Sequence, residues 1–180
     1  MMLPFQLISQ TGVKLKQGFT LLELLVVVGI LGILGAVASD IFINVSRSYN
    51  KANVIAEIQR SGNASLSQIG SEIRNAQSVT SPEPITLNVV NSVGSAVAYT
   101  FVPEDADNQK NGYVARNGNP LTDNDYFTGV NVTGLSFFVA ETDPPSVNIV
   151  LSLTQPLGAG SRIDFQASTT LTTTVSLRSY

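Results

Sequence analysis

The stretch KQGFTLLELLVVVGILGILGAVA occupies residues 16–38. From Phe19 to Ala38 every residue except Thr20 and Glu23 is apolar or small, and Glu23 is the single ionised one. Twenty such residues, coiled as a helix at about 1.5 Å per residue, reach roughly 30 Å, the thickness of a bilayer's hydrocarbon core. An acid at the bilayer midplane costs about 2.5–3.5 kcal/mol on insertion scales. Near the helix start, four free N–H groups and the positive end of the helix dipole offset part of that cost. Ionised groups within membrane segments usually pair and usually mark function, so Glu23 is a candidate functional residue.

The flanks orient the segment. Lys14 and Lys16 precede it and Asp40 follows it, which places the N-terminus in the cytoplasm and the rest of the chain outside. Ala36-Val37-Ala38 has the small-x-small pattern of a signal-peptide cleavage site. The apolar run is longer than the 7–15 residues of a signal core, however, and an acid within it is foreign to one. A cleaved signal and a plain uncleaved anchor both remain readings at this level. Gly29, Gly32 and Gly35 recur at every third position. Small residues in membrane helices allow close helix–helix approach, and no proline interrupts residues 5–81, so these glycines are candidates for both packing and flexibility.

Composition narrows the function classes. The 180 residues contain no cysteine and no histidine. Disulfides, thiol catalysis and cysteine-ligated zinc are excluded, and the commonest general base and metal ligand are missing. No Ser-His-Asp triad can form and no G-x-S-x-G occurs. Net charge is −3; without Lys14 and Lys16, eight basic residues stand against 13 acidic ones, a net charge of −5. No basic cluster is present to neutralise phosphates, which argues against nucleic-acid binding.

Beyond the membrane-length run, Ile41, Val45, Ala52, Ile55, Ile58, Leu66, Ile69, Ile73 and Ala76 recur mostly at three- and four-residue spacings. That stripe predicts an amphipathic helix continuing to about Gln77, with Gly62 and Gly70 as soft points and Ser81-Pro82 as the stop. The stripe breaks at Gly62 and does not sustain heptads, which disfavours a coiled coil. From Pro82 onward Val, Thr, Phe and Ile alternate with turn residues. Strands are expected at Ile85–Asn91, Ala96–Val102, Gly112–Arg116, Val130–Ala140, Val147–Thr154 and Ile163–Leu177. Asn117-Gly118 predicts a tight hairpin, and Pro144-Pro145 a break between two longer strands. Ser and Thr crowd residues 168–176, as expected of an exposed strand kept soluble by hydroxyls. The fold class expected is α+β, with a long helix packed on a C-terminal antiparallel β-sheet in one core. Its parts would be a basic leader over 1–18, an apolar half-helix over 19–38, an amphipathic half-helix over 39–81 and a β domain over 82–180.

Gly18-Phe19-Thr20-Leu21-Leu22-Glu23 followed by a long apolar run resembles the processing site of type IV prepilins and type II secretion pseudopilins. The resemblance implies a leader ending at Gly18, cut on the cytoplasmic side by a dedicated prepilin peptidase that also methylates the new N-terminal residue, Phe19. Glu23 becomes fifth in the mature chain, paired with the N-terminal amine of a neighbouring subunit. The partners implied are the peptidase/methyltransferase, other pilin or pseudopilin subunits, the cytoplasmic membrane and an assembly platform protein. The function implied is that of a structural filament subunit and not an enzyme. Major pilins often carry a C-terminal disulfide loop, so a cysteine-free chain is closer to a minor pilin or pseudopilin. The alternative from the residues alone is a signal-cleaved or membrane-anchored extracellular β-rich binding module.

Two acidic loops are candidates for a cation. Glu104, Asp105, Asp107 and Asn108 form one, and Asp123-Asn124-Asp125 the other. Oxygen-rich loops can take calcium, and some pseudopilins bind it in a C-terminal loop, but neither stretch has EF-hand spacing. The weak calcium candidates are therefore Asp105, Asp107, Asp123 and Asp125; no other cofactor is expected.

Overall fold

A computed structural model describes residues 18–159 and 166–178 of the chain. It divides into two units, Met1–Ile43 and Asn44–Tyr180. One helix, α1 (Leu21–Arg74), begins in the first unit and ends in the second. Its start is set by Thr20. The Glu23 N–H donates to Thr20 Oγ1 at 3.3 Å, and the Leu24 N–H donates to the Thr20 carbonyl at 3.1 Å. Thr20-Leu-Leu-Glu23 has the spacing of a capping box, with Thr20 as N-cap and Glu23 in the first turn.

In the first unit every described residue is exposed. Leu21, Leu24, Leu25, Ile30, Leu31, Ile33 and Leu34 present apolar surface on all sides of the helix. The segment is long and apolar enough to cross a membrane.

In the second unit α1 becomes one-sided. Its buried residues are Ile58, Gly62, Ser65, Leu66, Ile69, Gly70 and Ile73, a stripe at three- and four-residue spacing. The helix stops at Arg74, three residues before the pattern predicts. Asn75 caps it: its Nδ2 donates to the Ser71 carbonyl at 2.9 Å, and its backbone N–H reaches Ser71 and Glu72. Ala76 and Gln77, expected to close the helix, instead open strand β1 (Ala76–Glu83). Val79 and Thr80 favour extended backbone, and Pro82 sits where the register slips between Thr80 and Glu83, a position an edge strand tolerates.

The remaining strands are β2 (Thr86–Asn91), β3 (Ala96–Val102), β4 (Tyr113–Arg116), β5 (Asn119–Pro120), β6 (Asn131–Ala140), β7 (Ser146–Thr154) and β8 (Ser168–Ser176). All neighbours pair antiparallel. They form two sheets where a single one is expected from the pattern: β1-β2-β3-β4-β5 and β6-β7-β8. The break falls after the β4–β5 hairpin, where Asn117 (φ 50°) and Gly118 (φ 80°) make the two-residue turn. β6 does not extend the first sheet. It touches it through the Val132 N–H on the Gly112 carbonyl (2.8 Å) and the Phe137 N–H on the Pro84 carbonyl (2.6 Å).

One core serves both sheets. Leu87, Val89 and Tyr99 from the first, and Val147, Ile149, Leu151 and Leu153 from the second, meet Ile58, Ile69 and Ile73 of α1. Gly62 and Gly70 are not soft points but places of close approach. A Cβ on Gly62 would lie 2.5 Å from methyl carbons of both Leu153 and Leu171, and one on Gly70 would lie 3.3 Å from Val175.

Candidate processing and assembly site

The residues singled out at the N-terminus fall into three groups. Lys14 and Lys16 lie outside the described residues. Gly18, Phe19 and Thr20 are outside any helix or strand and exposed, immediately ahead of α1. Glu23 stands in the first helical turn, where the free N–H groups and the dipole favour a carboxylate. The amide after Gly18 is therefore reachable by a protease, and a new amine on Phe19 would stand one residue before the Thr20 cap.

Among the described residues, nothing beyond the adjoining helix backbone lies within 4 Å of where a Cβ would be at Gly29, Gly32 and Gly35. Among the described residues nothing covers the apolar surface around them, in contrast to Gly62 and Gly70 farther along the same helix.

Residues 13–39 match the family model of the prokaryotic N-terminal methylation motif. The chain carries a pilin-type N-terminus. That motif is typical of type IV pilins and pseudopilins, and it covers the leader's lysines, the Gly18–Phe19 junction, Glu23 and the three glycines. No curated protein and no solved structure matches the chain. The pilin-type segment is thus joined to a β domain that is described by its own geometry.

In that domain the two acidic loops lie side by side. Lys110 bridges to Asp105 and to Asp125 through backbone pairing. The Asp105 carboxylate accepts the Asn108 Nδ2 at 2.7 Å and the Asn108 N–H at 3.1 Å. These bonds from Asn108 hold its carboxyl below the usual carboxylate range. Asp125 Oδ1 accepts from the Thr128 N–H, the Phe127 N–H and the Thr128 hydroxyl at 2.8–2.9 Å. Those bonds, the backbone ones foremost, lower its carboxyl likewise. Asp123 Oδ1 accepts the Asp125 N–H at 3.0 Å, and Asp107 is exposed. Each bonded carboxylate closes its own turn. No group of three His, Cys, Asp or Glu side chains gathers for a metal among the described residues.

What joins these loops was not evident from their acidity. Asn111 is fully buried. Its Oδ1 accepts the Leu157 N–H at 2.9 Å, its Nδ2 donates to the Asp125 carbonyl, and its own N–H donates to the Asn124 carbonyl at 3.1 Å. Asn131, also buried, accepts the Gly112 N–H at 2.8 Å and donates to Glu104 Oε2 at 2.7 Å. Two amides thus pin three loops to β6. The only sequence signal was Asn111 beside Gly112, which reads as a turn; Asn131, between Val130 and Val132, gave none.

Proposed function

We propose that this chain is a structural subunit of a type IV pilus-like or type II secretion pseudopilus-like filament. Its precursor is held in the cytoplasmic membrane with the N-terminus in the cytoplasm and the β domain outside. Prepilin peptidase cuts after Gly18 and methylates Phe19, leaving an amine that is still cationic. An assembly platform then draws the subunit out of the bilayer into a periplasmic or cell-surface filament. Burial of the apolar half-helices against those of other copies drives assembly. Glu23 pairs with the Phe19 amine of a neighbouring copy and sets register, and Gly29, Gly32 and Gly35 give packing room. The cysteine-free composition favours a minor pilin or pseudopilin over a major pilin.

The observation that carries this reading is the methylation motif at residues 13–39 on a helix whose apolar first unit is exposed on every side. The rival reading places cleavage after Ala38, but α1 runs unbroken through that point, and the Ser39 hydroxyl is bonded back to the Gly35 carbonyl at 2.9 Å. Mass spectrometry of the mature N-terminus tests the proposal. N-methyl-Phe19 supports it; a chain beginning at Ser39 indicates a signal-cleaved β module, and an intact leader a plain anchor. Either of the latter would refute it.

A further inference from the structure

The second sheet covers α1 with one face and turns the other outward. Inward Val147, Ile149, Leu151 and Val175 are at most 5% exposed, and Val175 lies against Gly70 of the helix. The outward positions alternate with the inward ones over 134–140, 146–152 and 170–176. Strand register sets them in four straight rows across β6, β7 and β8, and none of them is buried. No charge enters these rows. Apart from Gly134, Phe138, Ala140 and Val150, every residue in them carries a hydroxyl or an amide. Solvation accounts for the hydroxyls but not for Phe138, whose ring is 69% exposed. Its neighbours on the same face of β6 are the small residues Ser136 and Ala140, so the ring stands clear of the sheet. Val150, diagonally across on β7, adds apolar surface within reach of an aromatic ring.

The polar groups beside the ring are held in place. Asn148 and Thr174 share its row, and Asn148 Nδ2 donates to Thr174 Oγ1 at 2.9 Å. The Ser152 and Thr170 hydroxyls are bonded at 3.2 Å. Threonine is stiff at its first side-chain torsion, so the face loses little rotamer freedom when something covers it. Its chemistry selects the occupant. A hydroxyl both donates and accepts, and so suits a ligand that does the same. Covering the face desolvates no ion, and the face offers no charge to steer an ionic partner. Contacts between copies are apolar at their centre, whereas here only Phe138 and Val150 present large apolar groups. The negative face of an aromatic ring attracts C–H groups. A pyranose ring combines hydroxyls around its rim with C–H groups on its face. We propose that the outward face of the second sheet binds an uncharged polysaccharide, with Phe138 stacked on one sugar ring and Asn148 and Thr174 hydrogen-bonded to its hydroxyls. The face points away from α1, so parallel packing of helices from several copies does not itself cover it. Sites repeated along such an array add avidity to a weak single contact. This inference is independent of how the N-terminal helix is processed.

The test uses the full chain in micelles of a detergent without a sugar headgroup, passed over amylose, cellulose, chitin and mannan beads. Retention on at least one of these is expected, with elution by soluble oligosaccharide of the same kind. Truncating an aromatic anchor at a contact is costly, so retention should fall about ten-fold in Phe138→Ser and persist in Phe138→Tyr. Asn148→Asp, which puts a charge beside the ring at nearly constant shape, should also weaken it. An unchanged Tm for each variant checks the fold. Retention on none of the beads, or equal retention of the parent chain, Phe138→Ser and Asn148→Asp, would overturn the proposal. So would a dimer in polysaccharide-free micelles that Phe138→Ser abolishes, which would mark the face as a contact between copies.

Discussion

Glu72 of α1 and Arg116 of β4 form an ion pair that closes the helix onto the first sheet. Arg116 Nε and Nη2 both reach Glu72 Oε1 at 3.0 Å. The pair sits over Tyr99, which is completely buried and whose hydroxyl makes no hydrogen bond of ordinary geometry. Burial pushes that phenol well above its usual range, and the neighbouring Glu72 carboxylate adds to the shift. Glu72 in turn raises the Arg116 guanidinium further. Both charges are partly exposed, so solvent screens them and a pair of this kind contributes about 0.2–1 kcal/mol. A Glu72→Gln, Arg116→Gln double-mutant cycle on thermal unfolding is expected to return a coupling of that size. Tyr99→Phe should leave Tm unchanged or raised, because it removes a buried hydroxyl without a bond.

Gly62 and Gly29 occupy the same helix but should answer substitution differently. Gly62→Val must displace two leucine methyls, and overpacking of that kind costs about 1–3 kcal/mol. A drop in the β domain's Tm is expected. Gly29→Val meets nothing among the described residues beyond its own helix and should leave that Tm where it is, while changing assembly. Replacing Gly29, Gly32 and Gly35 together with Leu and finding normal filaments would remove their packing role.

Asn111→Ala strands the Leu157 N–H and the Asp125 carbonyl, two groups bonded to that side chain. An unsatisfied buried polar group costs about 1–3 kcal/mol. The variant should melt lower, with loops 103–112 and 121–130 gaining amide exchange before the sheets do.

Asp105 and Asp125 have lowered carboxyl pKa values, so their contribution to stability is fully present above the unfolded carboxylate value near 4 and is lost as pH falls through the folded one. Asp125→Ala should therefore lower Tm at neutral pH, and the gap to the parent chain should narrow below about pH 4. Adding Ca²⁺ to the parent is expected to leave Tm unchanged, because each bonded loop carboxylate is committed to its own turn. A rise abolished by Asp123→Ala or Asp105→Ala would establish a calcium site instead.

Glu23→Lys reverses the charge proposed to meet the Phe19 amine. Filament formation should be lost while the precursor still reaches the membrane and the β domain keeps its Tm. Normal assembly of this variant would rule out the pairing.

The helix, seven of the eight strands and the tight hairpin were legible because each rests on a local periodicity or a turn residue. Leu87 and Val89, or Val147 through Leu153, announce their buried face by alternation alone. Strand β1 was hidden because the helical stripe and the strand share Ala76, and the arbiter is Asn75, whose side chain bonds back to Ser71. The division into two sheets was not legible: it depends on Gly112 and Pro84 offering single carbonyls to β6, contacts between residues far apart in the chain. The same holds for Asn111 and Asn131, whose partners lie up to 46 residues away. At the N-terminus the motif was plain, yet Thr20 as its cap emerged only from the bond to the Glu23 N–H.

That cap separates two events that could have interfered. The helix begins at Leu21, so a cut after Gly18 falls outside its hydrogen-bonded ladder. If the leader is removed as proposed, Thr20 stays on the retained side and can still hold the first turn. Under the proposed processing, the protease would meet chain outside the helix, while the lipid, and later the neighbouring copies, would meet a finished helix. Maturation of the proposed kind would change the charge at the tip without changing the rod.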